Sequence, residues 1–260
     1  LGTAEREQVG GGAAAAAEVG REPVEQVVGA ADRRLLHRDV RVLRLELVDD
    51  LAEERCPGVV TDVSATETTC DFDFDGGPTY STFGVIASPA WTPTDLGTWA
   101  GVPVTLYDRA STGVAAAIDP AYHTGYLTWM QQQLGPFPFG TELRLMTAPT
   151  YWDGFEHPGN IVLSDALAGE RGAYKKPVEH VLDHEMAHMW AGDQTTLADT
   201  YDFAWKESMA EYFAFAYEDM MDPTVAPATT AYWKAAAAGA QFYPVPGDKP
   251  KLVDYYGDAY

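Results

Sequence analysis

Residues 177–192 read PVEHVLDHEMAHMWAG. Val178, Val181, Leu182, Met186, Met189 and Trp190 recur at helical spacing, Pro177 marks the start and Gly192 the stop. On such a helix His184 and His188 lie one turn apart on one face, so two imidazoles can hold one metal ion. Neutral imidazole nitrogen suits Zn2+ at bond lengths near about 2.0 Å. Glu185 sits about 100° round the helix from His184. It can take a proton from water at the ion without ligating it. A catalytic zinc needs a third protein ligand and an open position. Glu207 is the candidate, eighteen residues intervening after His188, in WKESMAEY (205–212). It lies on a second helix expected from about Asp202, with Pro223 and Pro227 ending it. One ion per chain, held by two helices packed face to face, is the resulting expectation.

Upstream the pattern differs. DVRVLRLEL (39–47) alternates apolar and charged residues and reads as a half-buried strand. TYSTFGVIAS (79–88), VPVTLYDR (102–109) and ELRLMTAP (142–149) are strand-like too. PAYHTGYLTWMQQQL (120–134) opens with Pro and repeats apolar residues at helical spacing, so it reads as a helix. Strands first and long helices after describe an α+β fold.

The 260 residues are 46% hydrophobic, enough to bury a core. A net charge of −22 argues against nucleic acid as a partner. No run of about 18 apolar residues is present to span a membrane as a helix. Cys56 and Cys70 bracket the polar segment CPGVVTDVSATETTC and read as a disulfide, which contributes about 3 kcal/mol in the chain-entropy model. With the acidic balance, that pairing points to a secreted or periplasmic protein, the cytoplasm being the alternative. The chain begins at Leu1 without a charged-then-apolar leader and reads as processed or excised. Residues 1–35, with GGGAAAAAE and a mixed Glu/Arg stretch, read as a loosely ordered arm.

HEMAHMWAGD (184–193) and WKESMAEY (205–212) resemble, in order and spacing, the gluzincin aminopeptidases of peptidase family M1. DGFEHPG (153–159), followed by NIVLSD, resembles the family's glutamate-bearing edge strand. The resemblance implies a thermolysin-like catalytic domain, with His184, His188 and Glu207 binding zinc and Glu185 as general base. It implies that Glu156 grips the α-amine of a peptide with a free N-terminus, while Gly154 and Phe155 line the cleft and offer backbone groups to an extended peptide. The family's oxyanion-stabilising tyrosine aligns best with Tyr260 in DYYGDAY (254–260), with Tyr255 and Tyr256 as alternatives.

The family's Asn before the third ligand is Lys206 here, its following Gly is Ser208, and Phe155 replaces its Met. Residues 36–100 then correspond to part of an N-terminal β-sheet domain, and 101–260 to the peptidase domain without its distal helical lobe. FAFAY (213–217) is accordingly expected to expose apolar surface. Asp193 and Glu211 are candidates for orienting the ligating imidazoles, and His180 for a supporting role. His157 is expected to shape the cleft, His123 to lie on the surface or at a cap, and Trp190 and Trp205 to lie in the core. Two rivals to an aminopeptidase remain on sequence grounds. One is a thermolysin-like endopeptidase, the other a truncated zinc-binding module that is catalytically silent.

Overall fold

The computed structural model describes residues 42–46, 53–64, 67–71, 84–140, 142–170, 174–239, 249 and 251. In chain order these give β1 (Val42–Glu46), β2 (Glu53–Arg55), β3 (Val59–Ser64), β4 (Glu67–Asp71), β5 (Ile86–Ser88), β6 (Trp91–Trp99) and β7 (Val102–Arg109). Helices α1 (Val114–Ala117) and α2 (Pro120–Leu134) lead to β8 (Leu143–Ala148), β9 (Gly154–His157) and β10 (Asn160–Ser164). Helices α3 (Pro177–His188), α4 (Phe203–Met221) and α5 (Ala226–Gly239) complete the order.

The site is carried by a five-stranded mixed sheet in the order β6-β7-β8-β10-β9. β7, β8 and β10 run parallel, and antiparallel hairpins add β6 at one edge and β9 at the other. Asn160–Ser164 is buried along its whole length, as a central strand covered on both faces must be. Helices α2 and α3 pack on one face of this sheet. Leu106, Leu143, Leu145, Ile161 and Leu163 meet Tyr126, Leu127, Met130, Leu182 and Met186 in one cluster. Each such side chain contributes about 1.5–3 kcal/mol by leaving water.

Capping explains why α2 starts where it does. Asp119 accepts hydrogen bonds from the N–H groups of Ala121 and Tyr122 at 2.9 and 3.3 Å, and Pro120 follows with no N–H to leave unsatisfied. α3 likewise starts on Pro177, but it ends at His188, before Gly192. The chain turns there, with Gly192 at φ 142° in a region that disfavours residues bearing a Cβ.

Ahead of this unit lie two small antiparallel sheets, β1-β4-β3 and β2-β5. Cys56 and Cys70 form the expected disulfide, with Cα atoms 6.2 Å apart. The segment they bracket contains β3 and β4 rather than a plain polar loop. Arg144 of β8 donates to the Cys56 and Gly58 carbonyls at 3.3 and 3.1 Å, tying the disulfide to the large sheet.

Several expectations change. β6 hydrogen-bonds to β7 in one sheet, across the division at residue 100 that the family resemblance implied. Pro227 does not end a helix; it stands in the first turn of α5. FAFAY is covered: Ala214 and Tyr217 are buried, Tyr217 packs against Tyr126 of α2, and Phe215 meets Trp233 of α5. Trp190 is in the core, whereas Trp205 is 42% exposed because it lies on the outer face of α4. The arm 1–35 and the first half of TYSTFGVIAS lie outside the described residues. Among the described residues no helix is long and apolar enough to cross a membrane.

Candidate metal centre

Helices α3 and α4 face each other with complementary ladders. His180, His184 and His188 rise four residues at a time along α3, and Glu207, Glu211 and Glu218 share one face of α4. The pairings run in opposite directions. His188 and His184 meet Glu207, His184 and His180 meet Glu211, and His180 meets Glu218.

At one end of the ladder three donor atoms converge. His184 Nε2 and His188 Nε2 lie 3.0 Å apart, and Glu207 Oε2 lies 3.2 and 3.4 Å from them. The edge of a tetrahedron with bonds of about 2.0–2.1 Å is about 3.3 Å, so the spacing matches a tetrahedral ion. The outer nitrogens fix the tautomers. His188 Nδ1–H donates to the Ala191 carbonyl at 3.0 Å, made available because α3 ends early, and His184 Nδ1–H donates to Glu211 Oε2 at 3.1 Å. Both Nε2 atoms then present lone pairs to each other and to a carboxylate, an arrangement that calls for a cation. The residues fit a divalent ion.

The same carboxylates set the charge of the imidazoles. Burial pulls His184 down, but hydrogen bonds to Glu207 and Glu211 outweigh it and push it up to about 10. His188, fully buried, is held below the usual imidazole value by that burial. Glu207 lies well below the carboxylate range, because the bonds from His184 and His188 overcome the burial that would raise it. Further along, burial lowers His180, and hydrogen bonds to Glu211 and Glu218 at 3.0 and 3.1 Å more than restore it. Tyr174 stacks on its ring at 3.4 Å and donates to Glu211 at 2.6 Å.

Beside the three donors opens a cavity of about 890 Å³, lined by Gly154, Phe155 and Glu156 of β9 and by Glu185, His188 and Lys206. Glu185 faces it, 6% exposed, and its Oε2 has no hydrogen-bond partner. Burial pushes Glu185 up to about 8; His184 and Lys206 pull the other way, and Glu156 and Glu207 add to the rise. Gly154 permits the approach, since a Cβ there would run into Glu185 Oε1 and lie 2.8 Å from Val181 Cγ1. Glu156 is 2% exposed, and Lys206 Nζ lies 2.9 Å from its Oε1.

The structure thus brings His184, His188 and Glu207 together and sets Glu185, Glu156, Gly154 and Phe155 on one cavity wall. Tyr255, Tyr256 and Tyr260 lie outside the described residues. Glu211 meets His184, and Asp193 is buried with its N–H donating to the His188 carbonyl at 2.9 Å. His123 is not at the surface. It is fully buried with Nδ1 3.0 Å from Asp183 Oδ1, because it shares the face of α2 that carries Tyr126, Leu127 and Met130. That spacing was visible in the sequence. The bridging place of Lys206 was not, since no pattern gives the direction of one long side chain.

The peptidase family M1 domain model matches residues 123–242. Among solved structures, an M1 zinc metallopeptidase E323A mutant from Deinococcus radiodurans is 21% identical at a TM-score of 0.56, over 78% of this chain and 45% of that one. The same mutant bound to a Tyr-Ser-Ala substrate is 20% identical at 0.56, over 76% and 44%. The M1 zinc metallopeptidase itself, from the same organism, is 22% identical at 0.55, over 76% and 43%. The chain therefore spans less than half the length of these structures. No curated protein matches it.

Proposed function

Since residues 123–242 match the peptidase family M1 domain model, we propose that the chain is a zinc metallo-aminopeptidase that removes the first residue of peptides. The observation that carries this reading is the convergence of His184 Nε2, His188 Nε2 and Glu207 Oε2 within 3.4 Å of one another, beside a cavity that Glu185 and Glu156 share. His184, His188 and Glu207 would hold one Zn2+. When bound, the ion supplies Lewis acidity to the scissile carbonyl and to water.

The chain's own residues supply the rest. Glu185, in the cavity wall with one unpartnered oxygen and a raised pKa, accepts the proton of the attacking water and returns it to the leaving amine. Glu156, at the end of the cavity, pairs with the substrate's α-ammonium and so limits cleavage to the first residue. β9 is an edge strand, so Gly154 and Phe155 can offer main-chain groups to an extended peptide. A tyrosine near the C-terminus, Tyr260 with Tyr255 and Tyr256 as alternatives, would steady the oxyanion. The bound Tyr-Ser-Ala of the Deinococcus radiodurans enzyme supports a peptide as substrate. Residues 101–260 are taken as a thermolysin-like peptidase domain, joined in its sheet by β6, and the preceding strands as part of a separate β-sheet domain. The disulfide supports a secreted or periplasmic location.

Aminoacyl-coumarin substrates, free and N-acetylated, test this with and without chelator. Glu185→Gln should keep one zinc per chain and lose about 100- to 10,000-fold in kcat. Glu156→Ala should keep zinc and lose about tenfold or more in kcat/KM on free-amine substrates alone. Stoichiometric zinc without turnover would instead mark a silent metal-binding domain. Cleavage confined to blocked internal peptides would mark an endopeptidase.

A further inference from the structure

Lys206 has a place in the cavity that the proposed reaction does not use. It precedes the third donor on α4 and is 2% exposed. Its Nζ donates to Glu207 Oε1 at 2.7 Å, leaving Oε2 for the two histidines, and pairs with Glu156 Oε1 at 2.9 Å. The stem of Lys206 is confined: a Cβ on Gly192 would lie 3.0 Å from its Cγ and 3.1 Å from its Cε. Its ammonium also lies 5.2 Å from the centre of the Phe203 ring.

Charge decides what this does. Glu156 and Glu185 line the cavity, and Lys206 joins Glu156 to the Glu207 carboxylate behind it. Lys206 already sets a cation 2.9 Å from Glu156, so an arriving ammonium meets a carboxylate that is paired.

We propose that Lys206 is a specificity-determining residue: its ammonium holds Glu156 as a built-in rival to the substrate's α-ammonium and weakens selection for a free N-terminus. This rests on reading Glu156 as the amine anchor. A substrate amine must share Glu156 with Lys206 or push it toward Glu207. Selectivity between free and blocked ends is a difference between two affinities, and Lys206 reduces the larger one.

The test uses the zinc-loaded full chain with L-leucinol, which carries the amine but no scissile carbonyl, and N-acetyl-L-leucinol titrated by calorimetry. Lys206→Met and Lys206→Asn should bind leucinol about tenfold or more tightly than the wild type, with the acetylated compound within about twofold. With leucyl-coumarin the gain should appear in KM rather than kcat, and Lys206→Arg should keep the wild-type preference. Zinc content is measured alongside, because Glu156, Glu185 and His188 also present donors within 4.8 Å of one another. A wild-type measurement stands whether or not the variants fold. With lysine 13C-labelled, leucinol should move the Lys206 Cε resonance and the acetylated compound should not. A resonance unmoved at saturation, or folded Lys206→Met and Lys206→Asn variants with unchanged preference, overturns the proposal. If Glu156→Gln binds leucinol as the wild type does, it is the anchor reading that fails instead.

Discussion

Glu185 faces the cavity only because residue 154 has no side chain. A methyl group there would collide with Glu185 Oε1, and the walls are the Glu185 stem and Val181, each 2.8 Å away. Gly154→Ala should therefore turn the carboxylate aside. A displacement of about 1 Å at a catalytic group costs on the order of 100-fold in rate. Kinetics and metal analysis on that variant should show kcat reduced about 10- to 100-fold with zinc retained. An undiminished kcat would mean that Glu185 is not the base. At this scale the sequence was legible wherever helical spacing dictates geometry. His184, His188 and Glu207 needed only two helices and a facing contact. Lys206 and His123 show the limit. A lysine among core letters gives no sign that two buried carboxylates wait for it, and a histidine on an apolar face looks the same whether its partner is water or Asp183.

The contact between helices α2 and α3 carries a titratable pair. Trp99 stacks on His123 at 5.3 Å, and burial lowers His123 to about 4, against an opposing pull from Glu179. Its partner Asp183 is fully buried and raised, mainly by that burial. Because the folded state depresses the His123 pKa, the stability linked to it is complete above the unfolded value of about 6.5 and is lost as pH falls through about 4. Asp183, being raised, works in the opposite sense, so the expected outcome is a difference: between pH 7 and pH 4.5 the wild-type urea midpoint should fall relative to that of His123→Phe, and parallel curves for the two proteins would refute the linkage. Whole elements were legible where one face is buried. VPVTLYDR and LRLMTA alternate, and α2 has a capping Asp, a leading Pro and an apolar stripe. β6 was not legible, because most of its residues are exposed and Pro93 and Gly97 interrupt it. α5 was hidden by its Ala run, which has no apolar period to mark a face.

For the molecule as a whole, an ion held by His184, His188 and Glu207 would also be a fastening. It would join α3, which packs on the sheet, to α4, which carries the second ladder. Chelation would leave two lone pairs and a carboxylate in contact. At an ion concentration about 1,000 times Kd, binding contributes about 4 kcal/mol, and each kcal/mol shifts Tm by about 2–4 °C in a protein of this size. Calorimetry should show Tm falling by about 8–16 °C with chelator and returning with zinc. His184→Ala should be insensitive to either addition, and a wild-type Tm indifferent to chelator would exclude the ion from this place. The mixed sheet with trailing helices followed from the order of patterns along the chain. The small sheets ahead of it did not, since three- to six-residue strands among Thr, Asp and Ser barely differ from loop.

Strand β9 forms one border of the five-stranded sheet, with β10 on one side and, among the described residues, no further strand on the other. Pairing through amide and carbonyl groups is blind to letters: it registers polarity and straightness, and every L-peptide offers the same row of groups. A guest seated along β9 would thus be graded by its leading residue, where Phe155 and Glu156 stand, and hardly at all by the residues behind it. Diverse peptides could then be trimmed at comparable speed until a proline, which lacks the N–H this border needs, arrives and stalls the process.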